Sequence, residues 1–218
     1  MRYQLVIFDF DGTLADSYPW FLTVYQQISE RFHIPLLEAE DLEKLRSLEI
    51  SKIMKEYKIP FWKLILMGNH LKKLMNAQIE NIPLVDGMQN VLDVLRNQQV
   101  KLAVVTSNSR SNVQKVLGQR NKDYFQYIES GASMYGKKAR FEKILRKTGI
   151  PAEQTLCIGD EVRDLKSSRA AKIAFGAVGW GYTNISFLEA HSPEAIFTEP
   201  SQIIEVVNPT KTSPAQTG

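Results

Sequence analysis

Four short apolar runs, each closed by a polar cluster, punctuate the chain. Leu5-Val6-Ile7-Phe8 runs into Asp9-Phe10-Asp11-Gly12-Thr13, and Leu102-Ala103-Val104-Val105 into Thr106-Ser107-Asn108. Leu156-Cys157-Ile158 runs into Gly159-Asp160-Glu161, and Ile173-Ala174-Phe175 passes through Gly176 to Ala177-Val178-Gly179-Trp180-Gly181. A run that is apolar at every position, without alternation, predicts a strand buried on both faces of a parallel sheet. Amphipathic stretches of helical length lie between these runs, at Met88 to Gln98, Asn112 to Leu117, Lys138 to Thr148 and Arg163 to Ala171. Strands alternating with helices predict an α/β fold. Ligands of such sheets sit beyond the carboxyl ends of the strands, and those ends carry Asp9, Asp11, Thr106 and Asp160 here.

From about Ala15 to Ile82 the alternation stops. Helical periodicity takes over (Phe21, Val24, Tyr25, Ile28, Phe32, then Leu42, Leu45, Leu48, Ile53, Met54), and no strand-like run interrupts it. Pro35 and Pro60 divide this stretch into three or four helical pieces. The chain therefore divides into an α/β core over 1–14 and 83–207, an all-helical insertion over 15–82, and a tail over 208–218. The tail holds no large apolar residue and is expected to be disordered. Ala15-Asp16-Ser17 and Asn81-Ile82-Pro83-Leu84 are the expected hinges.

Composition changes this picture little. The 218 residues are 44% hydrophobic and 23% charged, enough for a sizeable core, and the net charge of +3 suggests neither a nucleic-acid nor a membrane binder. Cys157, the single cysteine, cannot form an internal disulfide, and the first residues lead directly into a strand rather than an apolar leader. A cytoplasmic protein, monomeric or homodimeric, is expected.

Residues two apart in a strand point the same way, so Asp9 and Asp11 project together, with Gly12 permitting a sharp turn. Such a pair can bind a hard cation, divide acid and base roles, act as a nucleophile, or simply form an Asp-rich turn. Asp9-Phe10-Asp11-Gly12-Thr13-Leu14 resembles the first motif of the haloacid dehalogenase-like phosphohydrolase superfamily, and three further matches follow in order. Thr106 resembles the second motif, Lys137 before a helix the third, and Gly159-Asp160-Glu161-Val162-Arg163-Asp164 the fourth. Leu14-Ala15-Asp16-Ser17 and the Gly-Trp-Gly at 179–181 look most like the phosphoglycolate phosphatase branch.

The resemblance implies a Rossmann-like core with a small helical cap and a Mg²⁺-dependent phosphatase of a small anionic phosphorylated metabolite. It implies Asp9 as nucleophile, Asp11 as acid then base, and, as holders of the phosphoryl group, the Thr106 hydroxyl, the main-chain N–H groups of Ser107 and Asn108 and of Phe10 and Asp11, and Lys137. The ion's site would be the Asp9 carboxylate, the Asp11 main-chain carbonyl and Asp160, with Asp164 orienting its water. Lys138 competes with Lys137, because the family often has Pro after its lysine, and Glu161 competes with Asp164. A phosphosugar mutase and a non-catalytic phospho-binding regulator are the alternatives.

Lys44 to Lys73 carries eight Lys/Arg against Glu49 and Glu56, a net of +6. This is either a solvated basic face or an attractive roof over an anion, with Arg46 the candidate grip on a substrate carboxylate or second phosphate. Trp20, Tyr57, Phe61 and Trp62, at helical spacing, read as core before pocket. Cys157 reads as an inert packed thiol, Trp180 as site rim or packing, and His33, His70 and His191 lack metal-ligand spacing.

Overall fold

A computed structural model of the chain describes residues 2–131 and 136–209. The tail expected over 208–218 falls outside the described residues from position 210 on.

Six strands, β1 (Leu5–Phe8), β2 (Lys101–Val105), β3 (Phe125–Glu129), β4 (Thr155–Gly159), β5 (Ala174–Val178) and β6 (Ala195–Phe197), form one sheet in the order β3-β2-β1-β4-β5-β6. Every neighbouring pair is parallel. The uniformly apolar runs are the interior strands, and alternate residues serve opposite faces. Val6 and Phe8 of β1 join Leu102 and Val104 of β2 in one core, while Leu5 and Ile7 join Ala103 and Val105 in the other. The two edge strands escape the sequence pattern for a physical reason. β3 is partly exposed and alternates polar with apolar residues, and β6 has only three residues.

Helices cover both faces. α5 (Met88–Asn97), α6 (Arg110–Lys122) and α10 (Gln202–Val207) pack on the first, and α7 (Lys137–Thr148), α8 (Val162–Ala170) and α9 (Ile185–Glu189) on the second. The periodicity of α6 breaks after Leu117 because Gly118 leaves helical geometry, at φ 66° and ψ 179°.

Between β1 and α5 lie α1 (Ser17–Phe32), α2 (Ala39–Leu45), α3 (Ile50–Glu56) and α4 (Phe61–Ala77). Pro35 falls in the gap after α1 and Pro60 caps the start of α4, as expected. The α2 to α3 break, by contrast, occurs without a proline. The insertion meets the core through Trp20, Val24, Ile28, Met67 and Met75, whereas α2 and α3 bury no residue. Its two connections lie side by side: Asp16 N–H donates to the Pro83 carbonyl at 2.9 Å, and Val85 N–H to that of Leu14 at 2.9 Å. The aromatic expectation is corrected at two positions. Phe61 and Trp62, at the start of α4, are 47% and 59% exposed. No described helix is long and apolar enough to cross a membrane.

Candidate active site

Strand order reverses between β1 and β4, the position where an open parallel sheet leaves a crevice beyond its strand ends. Asp9 follows β1 and Asp160 follows β4. Asp164 lies in the first turn of α8, one helical turn beyond Asp160. One carboxylate oxygen from each of the three lies within 4.8 Å of the others, and all three residues are buried. Lys137, the first residue of α7, reaches into this cluster with its ammonium 2.8 Å from Asp9 Oδ2 and 2.5 Å from Asp164 Oδ1. Burial opposes its charge, but the two carboxylates outweigh that and raise its pKa. Lys138 is half exposed and faces Glu142, and Glu161 pairs with Arg163, so geometry brings Lys137 and Asp164 in and leaves their competitors at the edge.

Crowding shows in the titration of the acids. Burial pushes Asp160 well above the usual carboxylate range, with Glu161, Asp9 and Asp164 adding to it. Asp164 rises to about 7, chiefly by burial, against the pull of Lys137. Asp11 also rises to about 7, first by burial and then by Asp9, although Asn108 Nδ2 donates to both its oxygens at 2.9 and 3.0 Å. Asp164 Oδ2 is buried without a hydrogen-bond partner among the described residues. An orphaned carboxylate oxygen beside two more buried carboxylates fits an all-oxygen site for a hard divalent cation, and Mg²⁺ suits that donor set.

The surrounding loops are built to hold these groups. Gly12 adopts φ 68°, and a Cβ there would collide with Asp160 Oδ2. Gly181 packs so tightly on Asp160 that a Cβ would overlap its side chain. Asp160 then receives Thr13 Oγ1 on Oδ1 at 3.1 Å and the Tyr182 N–H on Oδ2 at 2.8 Å. Trp180 Nε1 donates to the Thr13 carbonyl at 3.1 Å, tying the 179–181 segment to the first loop. Thr106 is buried at the end of β2, and its hydroxyl accepts the Asn108 N–H at 2.9 Å. Ser107 is partly buried beside it. Asn108 does more than the backbone role expected of it, since its side chain contacts Asp11 and its Oδ1 accepts from Asn112 Nδ2 at 2.9 Å.

Arg46 departs from expectation. Its guanidinium donates to the Gly181 carbonyl at 3.1 Å and the Tyr182 carbonyl at 3.3 Å, pairs with Glu43 at 2.8 Å, and lies 4.8 Å from the centre of the Tyr18 ring. Every side of it is engaged, which is a different use from an open grip on a substrate anion. Another cation of the insertion, Lys72 on α4, is half buried, with Asp11 and Arg163 acting on it as charged neighbours. Lys72 and Tyr182 were invisible in the sequence, since Lys72 is one of eight cations in a basic stretch and Tyr182 stands in no motif. Cys157 is buried beneath the cluster, and burial pushes its thiol well above the ordinary range.

Comparison with known proteins agrees with this geometry. Residues 6–178 match the family model described as haloacid dehalogenase-like hydrolase. A protein of Synechococcus elongatus named phosphoglycolate phosphatase is 24% identical over 205 residues, 94% of this chain and 97% of that one. One of the same name from Chromobacterium violaceum is 27% identical over 202 residues, 86% of this chain and 90% of that one. A Lactobacillus plantarum structure with a provisional phosphoglycolate phosphatase name superposes with a TM-score of 0.77 at 24% identity, over 94% of this chain and 100% of that one.

Proposed function

The chain belongs to the haloacid dehalogenase-like hydrolase family. We propose that it is a Mg²⁺-dependent phosphatase acting on a small phosphorylated metabolite of the phosphoglycolate kind, through an aspartyl-phosphate on Asp9. The observation that carries this reading is the Asp9, Asp160 and Asp164 cluster at the strand-order reversal, bridged by the buried Lys137. The relatives named phosphoglycolate phosphatase support the substrate class.

The Asp9 and Asp160 carboxylates and the Asp11 carbonyl would hold Mg²⁺, with Asp164 orienting its water. Bound there, the ion supplies positive charge that lets a phosphate dianion approach acids that would repel it. Lys137 adds a fixed positive charge and holds Asp9 in place. An Asp9 carboxylate oxygen attacks phosphorus in line, and the bond from phosphorus to the ester oxygen breaks. Asp11 gives its proton to the departing alkoxide. It then takes a proton from the water that cleaves the acyl-phosphate, so Asp9 is regenerated and inorganic phosphate leaves. The Thr106 hydroxyl, oriented by the Asn108 N–H, and the Ser107 N–H hold the phosphoryl oxygens through both steps.

The helical insertion serves as the cap over this floor. Lys72 gives the non-phosphoryl end of the substrate a positive environment, as a carboxylate-bearing ester requires. Hydrolysis of a generic aryl phosphate with and without Mg²⁺ tests the reaction. Metal-dependent phosphate release is expected, and failure to release phosphate from any of a broad ester panel would overturn the reading in favour of a binding protein.

A further inference from the structure

The Arg46 contacts join the insertion to one particular acid of the cluster. Arg46 follows α2, and its fork closes on the carbonyls of Gly181 and Tyr182, more than 130 positions away in sequence. The same two residues define the setting of Asp160, through the Gly181 contact with its side chain and the Tyr182 N–H on its Oδ2. Further contacts fix this seam. The Arg46 carbonyl accepts the Asn184 N–H at 2.8 Å, and Glu43 Oε1 accepts from Asn184 Nδ2 at 3.2 Å. The Tyr182 hydroxyl lies 3.2 Å from both the Ser17 carbonyl and its Oγ, and its ring packs on Tyr18 and Phe21 of α1. Tyr182 therefore touches the insertion on one side and Asp160 on the other.

We propose that Arg46 is a positioning residue for the metal site, latching the docked insertion to the Gly181-Tyr182 loop so that Asp160 is set for the cation only while the insertion is closed. The inference rests on the phosphatase reading for the identity of the ion. A planar guanidinium suits the task, since it meets two carbonyls at once where an ammonium is a point charge. Glu43 balances the charge, so an incoming substrate anion would have to displace an existing ion pair to use Arg46. The bonds from Arg46 to the loop are hydrogen bonds to two carbonyls, which water can replace when the insertion lifts. Losing it frees the loop and with it the hydrogen bond that orients Asp160.

The test is calorimetric titration of Mg²⁺ into the full chain without substrate, for the wild type, Arg46→Met, Arg46→Lys and Lys166→Met. The last variant breaks an ion pair between insertion and core, Lys166 with Glu49 at 2.8 Å, without touching the loop. Arg46→Met should weaken Mg²⁺ binding about 10- to 100-fold, the usual cost of losing an outer-shell support of a metal site. Arg46→Lys should fall between it and the wild type, and Lys166→Met should match the wild type. Saturating Mg²⁺ should restore the kcat of Arg46→Met alike on an aryl phosphate and on a carboxylate-bearing ester.

Unchanged Mg²⁺ affinity in both Arg46 variants would overturn the proposal. So would a KM rise confined to the carboxylate-bearing ester, which would return Arg46 to a substrate grip. Equal weakening by Lys166→Met would also overturn it, by making closure in general responsible. Arg46→Lys decides the matter should Arg46→Met fail to fold. A wild type that folds but binds no Mg²⁺ would instead remove the metal-dependent phosphatase reading itself.

Discussion

The sheet and the helical insertion are held by opposite means. Every residue of β1 and β4 is buried, with packed layers on both faces. The insertion contributes six of the seven large apolar side chains left exposed among the described residues, Leu22, Leu36, Phe61, Trp62, Ile65 and Leu66. Two of its helices bury nothing. Its seams with the core mix buried apolar side chains such as Trp20 and Met75 with polar contacts, Arg46 on the 181–182 loop on one side and Asn76 with Asn112 at 2.6 Å on the other. A floor packed like a crystal keeps acids that repel one another in fixed geometry. The polar part of the seam can open, because water replaces those contacts at little cost.

Mutations that cut into the floor and the insertion separately sharpen this contrast. The largest effect belongs to Asp9→Asn, which should lower steady-state phosphate release by about 10⁴-fold or more while the circular dichroism spectrum stays that of the wild type. Retained turnover would reject Asp9 as the nucleophile. Lys137→Met leaves Asp9 and Asp164 buried without their cation and should lower unfolding free energy by about 3–5 kcal/mol in a urea melt without metal. Lys44→Met, which breaks an exposed pair with Asp41 in the insertion, should leave the urea midpoint unchanged. Equal losses would erase the distinction between the two regions.

An apolar pair repeats the comparison. Phe175→Ala in β5 should cost about 3–5 kcal/mol, and Trp62→Ala on the exposed face of α4 about 0.5 kcal/mol or less.

A smaller effect concerns how the floor fixes α7. Glu129, buried at the end of β3, meets Arg140 at 2.9 Å and Lys143 at 2.7 Å, both on the helix that carries Lys137. Burial alone would raise its carboxyl, but these cations outweigh burial and lower it. A lowered folded-state pKa contributes stability that is present above the unfolded value and lost as pH falls through the folded one. Glu129→Gln should therefore cost about 1.5–3 kcal/mol at pH 7, and its melting temperature should converge on that of the wild type in acid. A gap that stays constant with pH would show that Glu129 acts by packing rather than by charge.

What the sequence revealed divides along the same line. Asp9, Asp11, Thr106 and Asp160 were legible because each closes an apolar run, and the end of a buried strand is where a parallel sheet presents its chemistry. Asp164 was legible as one helical turn from Asp160. Lys137 was located only through motif order, and its separation from Lys138 needed the burial of one and the exposure of the other. Tyr182, Lys72 and the Arg46 contacts were not legible, since they arise where segments far apart in sequence meet and no local period marks them. Periodicity identified the helices of the insertion but misplaced Phe61 and Trp62. An apolar stripe shows that a helix has a face, while only the fold shows whether anything covers it.

Acid-quenched protein mapped by peptide mass after brief reaction with Mg²⁺ and an aryl phosphate tests the central claim most directly. The account predicts one phosphoryl group on the peptide containing Asp9 in the wild type and none in Asp9→Asn. Turnover with no phosphoryl group on that peptide at any time during the reaction, or a phosphoryl group still formed in Asp9→Asn, would contradict it.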